Sequence, residues 1–358
     1  MTNVCNAWSV DALDRQIAAA LQLHGRATWR EVARVVGASE STVARRGRQL
    51  LESGLVRVTG QPDPARLGLG FPVLVQLTCE AGASKRVAAQ LAARPDVRYL
   101  AIVTSTFDIV LELIVPSRRQ LARVLVDEFA AVDGITATTT DSVMRTFKTT
   151  YDWSRELLDD HGIDSSFGGE LRPHEAPSAA PTSLDQTDLQ LIQVLGEDGR
   201  RSYSELAQAF AMSESMVRRR MTALVDNGYV FFATLVDPRA LGFEIEALVL
   251  LRVNLGELET IATALAARPE VRYLAATSGF SDLACEVILR SPEDLYEFTV
   301  GVLGGLQGIH RTVIAHELVT VKRAYMESSP SFWGEVSPVK RGQGEQLVKP
   351  QGGTRDHG

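Results

Sequence analysis

Cysteine is scarce in this chain: three in 358 residues, Cys5, Cys79 and Cys285, with no C-x-x-C pair among them. That excludes a disulfide framework and any cysteine metal site, and it fits a reducing compartment. Long apolar runs are missing too. None reaches the roughly 18 residues of a membrane helix, and the N-terminus lacks a charged-then-apolar signal pattern, so a cytoplasmic protein without membrane contact is expected. Excess positive charge is absent, with a net charge of −7. Any nucleic-acid contact must therefore come from local patches. There is no P-loop, dinucleotide fingerprint or nucleophile elbow. No catalytic residue, metal ligand or cofactor is expected. The six histidines follow no repeated pattern. His310 and His316, six residues apart on one expected strand, share a face and read as sheet-surface residues.

What the chain does have is itself, twice. "SESTVARR" from Ser39 returns as "SESMVRRR" from Ser213, and "LAARPDVRYLA" from Leu91 returns as "LAARPEVRYLA" from Leu265, at a constant offset of 174 residues. Solenoid periods are roughly 20–50 residues, so this is a duplicated module.

Each copy divides in two. Leu13, Ile17, Ala20 and Leu21 recur at helical spacing, Trp29 to Val36 makes a short second helix, and Ser39 stands at an N-cap before a third helix ending at Gly54. The stretches "GLVRVTGQPDP" and "GYVFFATLVDP" then read as a short strand pair or wing. The remainder alternates: strand 71–78, helix 84–94, strands 97–103 and 109–115, helix 118–132 and strand 135–148, repeated from 245 to 323. This is the ferredoxin-like βαββαβ order. The expected class is α+β, two copies of a winged helix-turn-helix plus a ferredoxin-like βαββαβ sensor domain. The boundaries read as helix-turn-helix 9–62, sensor 63–153, a Pro/Ala/Ser-rich linker 154–182, helix-turn-helix 183–236, sensor 237–328 and a disordered tail 335–358.

A helix-turn-helix with S-x-S/T-x-V-x-R-R, then D-P-x-x-L-G, then βαββαβ resembles the Lrp/AsnC (feast/famine) transcription regulators. The residues that carry it are Ser39, Val43, Arg46, Gly54, Asp63, Pro64, Leu67 and Gly68, and again Ser213, Val217, Arg220, Gly228, Asp237, Pro238, Leu241 and Gly242. The resemblance implies a sequence-specific regulator that binds double-stranded DNA and forms homo-oligomers through its sensor sheets. It also implies a small effector, typically an amino acid, near a T-G-x-aromatic-D turn between the second and third sensor strands. Here the matching turns are Thr104–Asp108 and Ser278–Asp282, which offer Ser105, Phe107 and Asp108 in copy one and Gly279 and Asp282 in copy two. Ser105 replaces the glycine, and Ser281 the aromatic.

Candidate DNA-contacting residues lie on the third helices: Ser41, Thr42, Arg45, Arg46 and Arg48, and Ser215, Arg218, Arg219 and Arg220. The family's fixed arginines, Arg46 and Arg220, are expected to be partly structural. Residues 9–60 hold eight arginines and five acids, whereas 183–234 hold five arginines and seven acids. Copy one is therefore expected to bind DNA more strongly. Against this, Gly47 stands where copy two has Met221, costing about 1 kcal/mol of helix stability and removing a packing side chain. The sensor domains are expected to pair either within one chain or between chains. Two other functions compete: a sensor or corepressor that no longer binds DNA, and a siroheme-decarboxylase-like enzyme. The latter is expected to need histidines and arginines near the second sensor strand. That strand reads "VRYLAIVTS" or "VRYLAATSG", apolar and without histidine.

Overall fold

The computed structural model describes residues 10–149, 153–158 and 184–327. Copy one begins with α1 (Ala12–Leu23), α2 (Trp29–Val36) and α3 (Glu40–Glu52), and copy two with α6 (Gln186–Glu197), α7 (Tyr203–Ala209) and α8 (Glu214–Asp226). Side-chain caps start every one of them: Asp11, Thr28 and Ser39 in copy one, Asp185, Ser202 and Ser213 in copy two. Each accepts a backbone N–H that the first helical turn would otherwise leave unpaired.

The expected wings are single strands, β1 (Val56–Pro62) and β6 (Val230–Val236). They pair with each other, antiparallel over seven residues, so the ribbon is made between copies rather than within each. Two arginines 174 residues apart fasten the ribbon's flanks. Arg26 donates to the carbonyls of Gly199 and Arg201, and Arg200 to those of Gly25 and Ala27. That reciprocity marks a two-fold axis inside one chain.

The sensor elements of copy one are β2 (Phe71–Cys79), α4 (Ser84–Ala92), β3 (Val97–Thr104), β4 (Ile109–Val115), α5 (Arg118–Arg123) and β5 (Ile135–Thr149). Those of copy two are β7 (Ile245–Val253), α9 (Leu258–Ala266), β8 (Val271–Ser278), β9 (Leu283–Leu289), α10 (Pro292–Glu297) and β10 (Ile309–Arg323). The ends of α5 and α10 widen into π turns over Val124–Glu128 and Phe298–Leu303. A two-residue strand, β11 (Met326–Glu327), folds back on β10.

Both long strands change partner midway. β5 pairs β2 as far as Ser142 and then β8, and β10 pairs β7 as far as His316 and then β3. The pairings of eight sensor strands therefore run in a closed ring through both copies. The sensor domains pair within the chain. Helices cover the outer faces, with Val73, Val75 and Leu111 beneath α4, while Leu74, Val110, Leu248 and Ala284 meet in the space between the sheets. Strands β4 and β9 are buried on both sides, which is why they are apolar at every position but one, Glu112 or Glu286, rather than alternating.

The copies also exchange partners at the junction. Leu241 and Phe243 of copy two pack into the core of the first helix-turn-helix, and Leu67 of copy one packs against the second. The D-P-x-x-L-G segment is thus the dock for the other copy's helices. The expected linker begins later than 154: Trp153 stacks edge-on against Phe243, and Leu158 is buried on α1. The rest of the linker and the tail lie outside the described residues.

Candidate DNA-binding face and sensor interface

Helix α3 buries Val43, Gly47 and Leu50 and turns its polar face outward. Ser41, Arg45 and Arg48 are exposed, and Thr42 is half-exposed, bonded to the cap Ser39. Arg48 donates to the carbonyl of Ala44, one turn back. On α8, Ser215, Arg218 and Arg219 are exposed, with the Arg218 guanidinium 4.2 Å above the Tyr203 ring. Arg45, Arg48, Arg218 and Arg219 pair with no carboxylate among the described residues.

Arg46 and Arg220 are different. Arg46 bonds Asp11 and the fully buried Asp14 at 2.6 and 3.0 Å, and Arg220 bonds Asp185 and Asp188 at 2.8 and 2.7 Å. Each ties the third helix to the capping box of the first. The hydrogen bond from Asp14 N–H, then Arg46, hold the Asp11 carboxyl below its ordinary range. Gly47 is not a lost packing side chain: the Trp29 ring occupies the space where a Cβ would stand. In copy two the tryptophan is Tyr203, and Met221 fills the gap.

Where the ribbon meets the ring lies a chamber of about 80 Å³, walled by Leu74, Leu248, Tyr99, Tyr273, Phe231 and Gln61. Its charged lining was missed in the sequence. The strand read as apolar carries Arg98 in copy one and Arg272 in copy two. Arg98 clamps Glu112 at 2.6 and 2.7 Å, and Arg272 clamps Glu286 and reaches Glu246 at 2.9 Å. The signal was there: an arginine and a glutamate 14 residues apart, in both copies. Copy two adds Arg323, where copy one has Thr149. It bonds Glu286 at 3.0 Å and Glu317 at 3.2 Å. Burial disfavours a charged Glu286, but Arg272 and Arg323 outweigh it and hold its carboxyl well below the ordinary range. Burial, then the charge of Glu286, pushes Glu317 well above it. Glu246, Glu286 and Glu317 converge within 4.8 Å, a spacing a metal accepts, yet two guanidiniums already neutralise them.

The two sensor turns hold the expected effector residues in unlike settings. Asp108 accepts the Cys79 N–H at 2.7 Å and Asp282 the Val253 N–H at 2.9 Å, so both brace the turn against the neighbouring strand. Ser105 is exposed, while Phe107 is buried between the sheets beside Ala315. Gly279 has a φ of +130°.

The pattern of the AsnC-type helix-turn-helix domain matches residues 10–51 and 184–225, and that of the Lrp/AsnC ligand binding domain matches 72–153 and 246–326. An uncharacterised HTH-type transcriptional regulator of Pyrococcus furiosus is 37% identical over 130 residues, covering 36% of this chain and 88% of that protein. The HTH-type transcriptional regulator Ptr1 of Methanocaldococcus jannaschii is 29% identical over 140 residues, covering 39% of this chain and 95% of its own length. Each relative thus corresponds to one module. Over both modules the fold is similar to that of the siroheme decarboxylase NirDL, with a TM-score of 0.57 at 15% identity, covering 90% of this chain and 96% of that one.

Proposed function

The chain belongs to the Lrp/AsnC family, and on that premise we propose that it is a sequence-specific DNA-binding regulator in which one polypeptide does the work of a dimer. One observation carries the reading: the β1–β6 ribbon and the reciprocal Arg26 and Arg200 contacts set two helix-turn-helices about an internal two-fold axis, each with unpaired arginines on its outer face. Arg45, Arg48, Arg218 and Arg219, with Ser41, Thr42 and Ser215, contact phosphates and base edges. Arg46 and Arg220 hold the helices that present them. Because the third helices differ in sequence, the operator has unlike half-sites, separated by about one helical turn or a multiple of it.

We further propose gating by a small effector, such as an amino acid, bound where the two sensor sheets meet. The chamber between ring and ribbon supports this, since its walls include both guanidinium and carboxylate groups and touch strands of both helix-turn-helices. It is smaller than the roughly 150 Å³ that admits a benzene ring. That favours a ligand of a few heavy atoms in this chamber; relatives that are transcriptional regulators favour regulator over enzyme, and the likeness to the decarboxylase is one of fold. The protein works in the cytoplasm. No helix among the described residues is long and apolar enough to cross a membrane. Sensor-sheet edges are already paired within the chain, so homo-oligomers assemble through other faces.

The test is a titration of the protein against its own upstream DNA over a salt series, with and without pooled amino acids. Selective binding with a steep salt slope, altered by one amino acid, is the expected result. Loss of selectivity under every condition, or a tetrapyrrole absorption band on the purified protein, overturns the reading.

A further inference from the structure

We infer that the strand turn of copy two is a carboxylate-binding site, and that the chain fills it with its own Asp141. Asp141 stands on β5 one residue before that strand leaves β2 for β8, and it is fully buried. Its Oδ1 accepts the backbone N–H of Phe280 at 2.7 Å. Its Oδ2 accepts the Ser281 hydroxyl at 3.1 Å and lies 3.5 Å from the Gln76 amide nitrogen. No cation pairs with it among the described residues. A buried carboxylate held by a turn N–H, a hydroxyl and an amide is held as a ligand carboxylate is.

The glycine of the turn belongs to this arrangement. A Cβ on Gly279 would collide with Asp141 Oδ1, so only glycine lets the carboxylate approach. The other seam, where the turn of copy one meets β10 of copy two, has changed all three parts together. At the equivalent positions Ala315 replaces Asp141, Ser105 replaces Gly279, and Phe107 replaces Ser281. Phe107 and Ala315 then share one apolar cluster. One seam of the ring is closed by a tethered carboxylate and the other by a phenyl ring. Copy two's turn is therefore shut to outside carboxylates until Asp141 is removed. This inference does not rest on DNA binding, and its test contains no DNA, so its failure is separable from that of the regulator reading.

The experiment is thermal unfolding of the full-length Asp141→Ala protein in sodium formate or acetate, against sodium chloride at equal ionic strength. The variant should melt below the parent, and formate or acetate at ten times its Kd should raise its Tm by about 2–4 °C while leaving the parent unmoved. If the variant is recovered only unfolded, refolding in formate but not chloride supports the site, and refolding in neither overturns it. The second measurement is non-additivity. Gly279→Ala should lower Tm more in the parent than in the Asp141→Ala background, where the strain of its φ of +130° remains but the clash with the carboxylate is gone. Equal effects of carboxylate and chloride, or equal Gly279→Ala losses in both backgrounds, would reduce Asp141 to a plain structural residue.

Discussion

Adding a methyl group at position 47 places it inside the Trp29 ring. Gly47→Ala should therefore destabilise the protein by about 1–3 kcal/mol, although alanine favours a helix interior by about 1 kcal/mol. Urea unfolding decides it: a more stable variant would mean that the ring moves aside at little cost. Ala211 poses the opposite case. It adopts φ +51° in the turn where copy one has Gly37 at +65°. A left-handed alanine costs about 1–2 kcal/mol and glycine returns some of that as chain entropy, so Ala211→Gly should gain about 0.5–1 kcal/mol by the same measurement. Glu317 brings pH into play. Its carboxyl is pushed above the ordinary range by burial and by Glu286, with Glu246, Arg323 and the Tyr99 phenol also facing it. A raised acid keeps its proton in the folded state while the unfolded chain has already lost it. Stability is thus greatest below the unfolded value of about 4.3 and declines as pH rises toward the folded value. Glu317→Gln should flatten that decline in a series of melts from pH 4.5 to 8; an unchanged slope would assign it to other groups. These residues were the least legible in the sequence. Gly47 looked like a defect because its partner lies 18 positions away on another helix, and neither Glu317 nor Asp141 has its like in the other copy, where Val143 and Ala315 stand instead, to draw attention to it.

The two third helices should answer mutation differently at different positions. Arg45→Ala and Arg48→Ala should each weaken binding across DNA sequences and reduce the salt slope by about 1 where a phosphate contact is lost, with little change in melting. Arg46→Ala should instead lower the melting temperature, because it leaves Asp14 buried without its cation. A reversal of these two patterns in paired binding and melting assays would exchange the roles assigned here. Elements as such were well legible. The strand expected at 109–115 is β4 to the residue, and most helix and strand starts coincide, because caps, glycine stops and apolar period are local signals. Pairing was not local. Nothing in "GLVRVTGQPDP" says that its partner lies in the other copy, Thr59 opposite Ala233, rather than across a hairpin, and nothing in β5 says that it changes neighbour at Ser142.

Three strand pairings hold the halves together: β1 with β6, β5 with β8, and β10 with β3. Cleavage at an engineered protease site near residue 170 should leave both halves co-eluting in gel filtration under native conditions. Separation into half-sized species would show that the covalent bond, not the ladder, maintains the pair. The offset of 174 residues announced two modules, but whether they pair with each other was open in the sequence, since the same edges serve either arrangement. The internal two-fold axis also changes how the protein responds to its own abundance. Two separate subunits must meet before they can bind, so at low copy number their active form falls as the square of concentration. Here the pair is made with the chain, and occupancy of a site follows protein level to the first power. Halving synthesis halves the number of such pairs rather than quartering it, and dilution does not separate a pair whose members share one chain.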